Sequence, residues 1–137
     1  MGRLLTPWAT SRAVVALTAV TLLLPACGGG DEQEVQDAVR EFAGAIEDKD
    51  YGKACDRVTE QVRETLGNPA TGGAGCEKVF EQANEAGGLE GLPTNAGDLE
   101  FEKTQVRGDS ATVTIKGDST GDTTLRKEDG EWKLDVL

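Results

Sequence analysis

The apolar residues of this chain change their spacing once, near residue 99, and that change limits the possible folds more than any other feature. Upstream they recur at intervals of three and four, as one face of a helix requires. Downstream they alternate with polar residues, as a strand with one buried face requires. Helices followed by strands point to an α+β layer rather than an alternating α/β sheet.

A first helix is predicted over residues 31–48, where Val35, Ala38, Val39, Phe42 and Ile46 form one apolar stripe. Acids crowd its first turn, where the helix dipole favours them, and Gly44 lies off the stripe. Asp50 is placed to cap a second helix, whose stripe is Tyr51, Ala54, Cys55, Val58, Val62 and Leu66. Gly67-Asn68-Pro69 stops it, and Pro69 after Asn68 rules out a glycosylation sequon. Residues 70–75 form a Gly-rich loop. With no strand before it and no Gly-Lys-Ser/Thr after it, it does not read as a phosphate cradle. A third helix carries Cys76, Val79, Phe80 and Ala83 and ends at Gly87-Gly88, and residues 89–98 are a loop.

The strands follow. Residues 99–107 form the first, with Leu99 and Phe101 on one face, and Gly108-Asp109 turns it. Ala111, Val113 and Ile115 then alternate with Thr112 and Thr114, the clearest strand pattern in the chain. A longer turn over residues 116–122 leads to a third strand over 123–127. Asp129-Gly130 is a strong hairpin signal, and Trp132, Leu134 and Val136 alternate through the last strand. The expected architecture is α+β: three N-terminal helices packed on a curved four-stranded antiparallel sheet, preceded by a signal peptide.

That leader is read from Ala13 to Ala26, apolar apart from Thr18 and Thr21, with Arg3 and Arg12 before it. The run is shorter than the ~20 residues a spanning helix needs and fits a signal-peptide core. An uncleaved membrane anchor is the competing reading. Leu24, Ala26 and Cys27 resemble the bacterial lipoprotein box, which implies a diacylglyceryl group on Cys27. Ordinary secretion with a cut after Ala26 is the rival, although that cut prefers a residue smaller than Leu24 three places upstream. The expected organisation is thus residues 1–26 as lipoprotein signal peptide, 27–33 as lipidated cysteine and flexible tether, and 34–137 as one domain on the extracytoplasmic side of the cell membrane. Such a tether reaches at most roughly 23 Å.

Arg3 and Arg12 are the only charges in residues 1–26, so removing that stretch takes the formal net charge from −11 to −13. So acidic a chain is not built to neutralise phosphates, which argues against nucleic acid. It should also be repelled by anionic lipid head groups. With Cys27 lipidated, Cys55 and Cys76 remain as a pair that an oxidising compartment favours joining; two buried free thiols are the alternative. There is no histidine, so the commonest general base and the commonest zinc ligand are both absent.

The leader with its lipobox, the amphipathic first helix, the second helix opening near Tyr51 and Cys55, and the closing hairpin from Leu125 through Asp129-Gly130 and Trp132 to Asp135 together resemble small envelope proteins with a nuclear-transport-factor-2-like (cystatin-like) domain. The resemblance covers residues 31–137. It implies helices forming a cone over a curved sheet, with room for a pocket between. Some members of that family are isomerases or dehydratases with an Asp, His or Tyr inside the cavity, and many others only bind or dimerise.

Three functions compete. The first is a membrane-tethered binding or interaction module, monomeric or homodimeric. Its partner would be a small apolar ligand in the cone or another envelope protein. The second is an isomerase- or dehydratase-like enzyme, for which Tyr51 with Asp50 or Asp56 is the one conceivable acid/base set; Tyr51 also begins an apolar stripe, which suits a core position. The third is calcium binding through Asp118 and Asp122, or through Asp31, Glu32 and Glu34, neither of which matches the twelve-residue calcium loop. No cofactor is implied. Trp132 and Phe101 read as core aromatics on the apolar face of the sheet.

Overall fold

The computed structural model describes residues 29–68, 74–118 and 121–135. The leader, Cys27 and Val136 lie outside these residues. In chain order the elements are α1 (Gly29–Glu47), α2 (Tyr51–Asp56), α3 (Glu60–Gly67), α4 (Cys76–Glu85), a 3-10 turn (Ala96–Asp98), then β1 (Phe101–Arg107), β2 (Ser110–Ile115), β3 (Thr123–Glu128) and β4 (Glu131–Leu134). The four strands make one antiparallel sheet in the order β1-β2-β3-β4.

The inner face of that sheet holds Ala111, Val113, Ile115, Leu125, Trp132 and Leu134, all buried. Alternation places these residues on one face, and α1 lies against it, touching β1, β2 and β4. Val35, Val39 and Phe42 of α1 are fully buried there. The helix starts at Gly29, two residues earlier than its apolar stripe suggests. The stretch 29–33 is therefore helical rather than part of a loose tether, and only Gly28 separates Cys27 from α1. The chain leaves α1 through Lys49 in the left-handed region (φ 60°), with Asp50 N–H returning to Ala45 O at 2.8 Å. The Asp50 side chain then accepts the Lys53 N–H at 3.1 Å and caps α2.

The sequence stripe from Tyr51 to Leu66 predicts one helix, and the structure has two. Among the described residues four α-helices precede the sheet, where three were expected. The break falls at Arg57–Thr59, where the backbone leaves the helix and runs alongside β4. Leu134 N–H donates to Arg57 O at 2.8 Å and Thr59 N–H to Leu134 O at 2.9 Å. Val58 forms a parallel bridge with Leu134. The exposed edge of β4 carries backbone groups that need partners. Satisfying them here outweighs continuing the helix for one more turn. Thr59 restarts it: its hydroxyl accepts the Val62 N–H at 3.4 Å as the cap of α3. The β-branched pair Val58-Thr59 is the one sequence mark of the interruption.

Two smaller differences concern β1. Leu99 precedes the strand, in extended backbone directly after the 3-10 turn that forms within the expected loop. The β1–β2 register also shifts between Phe101 and Lys103, a bulge at the strand's start. The β3–β4 hairpin turns through Asp129 (φ 52°) and Gly130 (φ 83°), the pair of positive φ values that a tight two-residue hairpin demands. All the buried apolar residues of the described segments lie between Val35 and Leu134, so residues 28–137 contain the whole of that core.

Candidate functional site

The disulfide expected on residue types and compartment is present. Cys55 in α2 is bonded to Cys76, the first residue of α4, with Cα atoms 6.0 Å apart. It joins the two helices directly. Phe42 of α1 and Phe80 of α4 meet edge to face with ring centroids 5.8 Å apart. The disulfide ties the start of α4 to α2, and the ring pair packs its middle against α1.

The same apolar face of α4 also forms one wall of a partly open cleft of about 350 Å³. Val62 and Leu66 of α3, Val79, Phe80 and Ala83 of α4, and Leu89 and Leu92 line it. Gly121, Asp122 and Thr123 at the entry to β3 close one side. Val62, Phe80, Leu89 and Thr123 are buried, while Leu66, Val79, Ala83 and Leu92 are only half-buried. The second group is apolar surface that the described residues cover only in part. A concave apolar site with very few polar groups is the usual form of a small-molecule pocket, and this one is near the lower end of the common size range.

Asp122 is the only charged residue among the described residues that line the cleft, and it stands across from Thr114, next to the Val113–Thr123 pair, so its carboxylate lies on the outer face of the sheet, away from the apolar walls. It is exposed, and its Oδ1 accepts the Thr114 hydroxyl at 2.7 Å. The helical half of this wall lies on stripes that are legible in the sequence. Leu89, Leu92 and Asp122 are not legible there, because they sit in stretches that read as loop and turn. Two leucines three apart in an otherwise Gly-rich loop are the signal that such a loop packs. Leu92 N–H does bond back to Leu89 O at 3.1 Å.

The other candidates do not converge on this cleft. Tyr51 lies outside it, beside Cys76, Glu77 and Lys78, and its hydroxyl accepts the Asn84 side-chain amide at 3.0 Å. Asp50 is engaged in the α2 cap, and Asp56 is exposed at the end of that helix. Asp31 and Glu34 face Lys127, at 3.6 and 3.7 Å, and Glu32 stands in the same turn. Among the described residues no three acids, cysteines or histidines stand close enough together to hold a metal ion.

Lys127 also lies over the buried Trp132 ring, 5.3 Å from its centroid. Phe101, half-buried, is covered by the Arg40 guanidinium at 4.7 Å. Both aromatics are therefore packed rather than offered to a ligand. Trp132 Nε1 is buried without a hydrogen-bond partner. Lys78 is exposed; its hydrogen bond to Glu81 and that carboxylate's charge raise its pKa above the usual lysine value.

Set against known proteins, the chain matches no family model, no curated protein and no solved structure.

Proposed function

We propose that this chain is an extracytoplasmic lipoprotein, anchored through Cys27, whose domain binds a small apolar ligand in the cleft between α3, α4 and the start of β3. The observation that carries this reading is the cleft wall: Leu66, Val79, Ala83 and Leu92 line it and are only half-buried by the described residues. Uncovered contiguous apolar surface is more often a binding site than a decoration. The curved-sheet, nuclear-transport-factor-2-like reading of the sequence agrees with a binding role.

The proposed tether also gives the cleft a direction. The start of α1 is held at Lys127, toward the far end of β3, while the cleft borders Thr123. Four residues of strand, about 13 Å, separate them. With a single residue between Cys27 and α1, the anchored end lies against the bilayer and the cleft is displaced from it. That suits exchange with molecules arriving through the envelope rather than with lipid in the anchoring leaflet.

The test is native mass spectrometry on residues 28–137, secreted into an oxidising compartment and never denatured. An adduct of small mass is expected on the native protein. It should be missing from Ala83→Trp, whose side chain fills the cleft, provided that variant still melts cooperatively. If the native protein is bare, and no straight-chain alcohol binds it or raises its melting temperature, the binding reading fails.

A further inference from the structure

Thr59 and Thr123 are the two buried polar side chains among the described residues, and their hydroxyls fare differently. That of Thr59 accepts the Val62 N–H and donates to Asp135 Oδ1. That of Thr123, in a residue only 5% exposed, forms no hydrogen bond with any described residue. Nor is it sealed in without a partner, as Arg57 Nε and Trp132 Nε1 are. Thr123 shares a face of β3 with the buried Leu125 and stands across from the fully buried Val113. Its side chain therefore lies on the face of the sheet that meets the helices, and the opening it lines is the apolar cleft. A buried hydroxyl left unpaired is costly. Water can meet that need in the free protein, but a purely aliphatic occupant of the cleft cannot.

From this we infer that the ligand is an uncharged amphiphile: an aliphatic body of up to about a dozen non-hydrogen atoms, sized to the cleft volume, with one hydroxyl or carbonyl oxygen that enters first and accepts the Thr123 O–H. The inference rests on the binding reading above and narrows it. The body replaces water against Leu66, Val79, Ala83 and Leu92, where burial is favourable in proportion to area. The remaining side chains that line the cleft are apolar, except for Asp122, whose carboxylate is turned away and bonded to Thr114. A carboxylate or ammonium buried beside Thr123 would have no counter-ion, which costs far more than burying a hydroxyl. Charged amphiphiles must therefore keep their head groups at the mouth, out of reach of Thr123. Alkanes fit the walls but leave the Thr123 hydroxyl unpaired.

Three eight-carbon probes test this on residues 28–137: 1-octanol, octane supplied as saturated vapour, and octanoate below its aggregation concentration. Thr123→Val keeps the side-chain shape, suits the strand and removes the hydroxyl. Octanol is expected to bind this variant about fivefold more weakly than the native protein, as one lost hydrogen bond dictates, and Thr123→Ser should restore its affinity. Octane should raise the melting temperature of Thr123→Val at least as much as that of the native protein. Octanoate should bind both proteins equally and the native protein more weakly than octanol does. Ala83→Trp, which fills the cleft, should exclude all three. If octanol binds Thr123→Val as tightly as the native protein while Ala83→Trp excludes it, the assignment to Thr123 is overturned and the cleft stands. An equal loss for octane reports a change of shape and overturns it as well. If octanoate loses as much as octanol, the restriction to uncharged ligands is overturned. If none of the three binds the native protein, the cleft reading and this inference fail together.

Discussion

The Thr59 hydroxyl donates to Asp135 Oδ1 at 3.0 Å, across 76 positions of sequence. The same oxygen accepts the Val62 N–H that starts α3, and the backbone N–H of Thr59 bonds Leu134 O. One buried side chain, 1% exposed, thus ends the sheet edge and begins a helix. Asp135 is held from its other side by Arg126 at 3.1 Å. Replacing Thr59 with Val keeps the shape and removes both hydrogen bonds. The expected cost is about 2 kcal/mol, a cap and a buried bond lost together. Urea denaturation should show it as a lower midpoint with an unchanged slope, and Thr59→Ser should recover most of the loss.

Opening the disulfide should act mainly through the unfolded chain. Closing the loop between Cys55 and Cys76, 21 positions apart, is worth about 3 kcal/mol in the chain-entropy account. The double variant Cys55→Ser/Cys76→Ser is expected to melt well below the oxidised protein. The same drop should appear when the native protein is melted in reductant, and reductant should leave the double variant unaffected.

Phe42 is fully buried and reaches from the sheet-facing helix to Phe80 on α4. Phe42→Leu is expected to cost about 1.5 kcal/mol and Phe42→Ala about 4 kcal/mol, as cavity size dictates. The larger change should also loosen α4. Amide hydrogen exchange of residues in α4 should speed up more than exchange of residues in β2.

At the β3–β4 turn, Gly130 adopts φ 83° and Asp129 φ 52°. Gly130→Val places a β-branched residue in left-handed backbone, with an expected cost of about 2 kcal/mol. The thermal midpoint reads it. Gly130→Asn should lose much less, since Asn tolerates that region.

Lys127 pairs with Asp31 and Glu34 and covers the Trp132 ring. Lys127→Met keeps an aliphatic stem over the ring and removes the charge. The expected loss is below about 1 kcal/mol, because the acids it meets are partly exposed. It should shrink further in high salt, and a midpoint difference between native protein and variant that is independent of salt would show that packing rather than charge holds this contact.

Local spacing determined much of this protein by itself. Val35 to Ile46, Cys76 to Ala83, and the alternation Ala111-Val113-Ile115 each place their residues on one face whatever the partner, because helix and strand periods are properties of the backbone. Asp129-Gly130 marks its hairpin for the same reason: few residues accept its φ values. The partnership of Cys55 with Cys76 was legible as well, since only two cysteines lie beyond residue 27. Two features were decided only by tertiary structure. The helix predicted from Tyr51 to Leu66 divides at Val58 because the edge of β4, more than 70 residues later, has backbone groups that Arg57 and Thr59 satisfy. The cleft arises because Leu89 and Leu92, which have no periodic signature, and the entry to β3 at Gly121–Thr123 meet α3 and α4. A stripe reports which face of an element is apolar; only the assembled neighbours decide how much of that face remains uncovered.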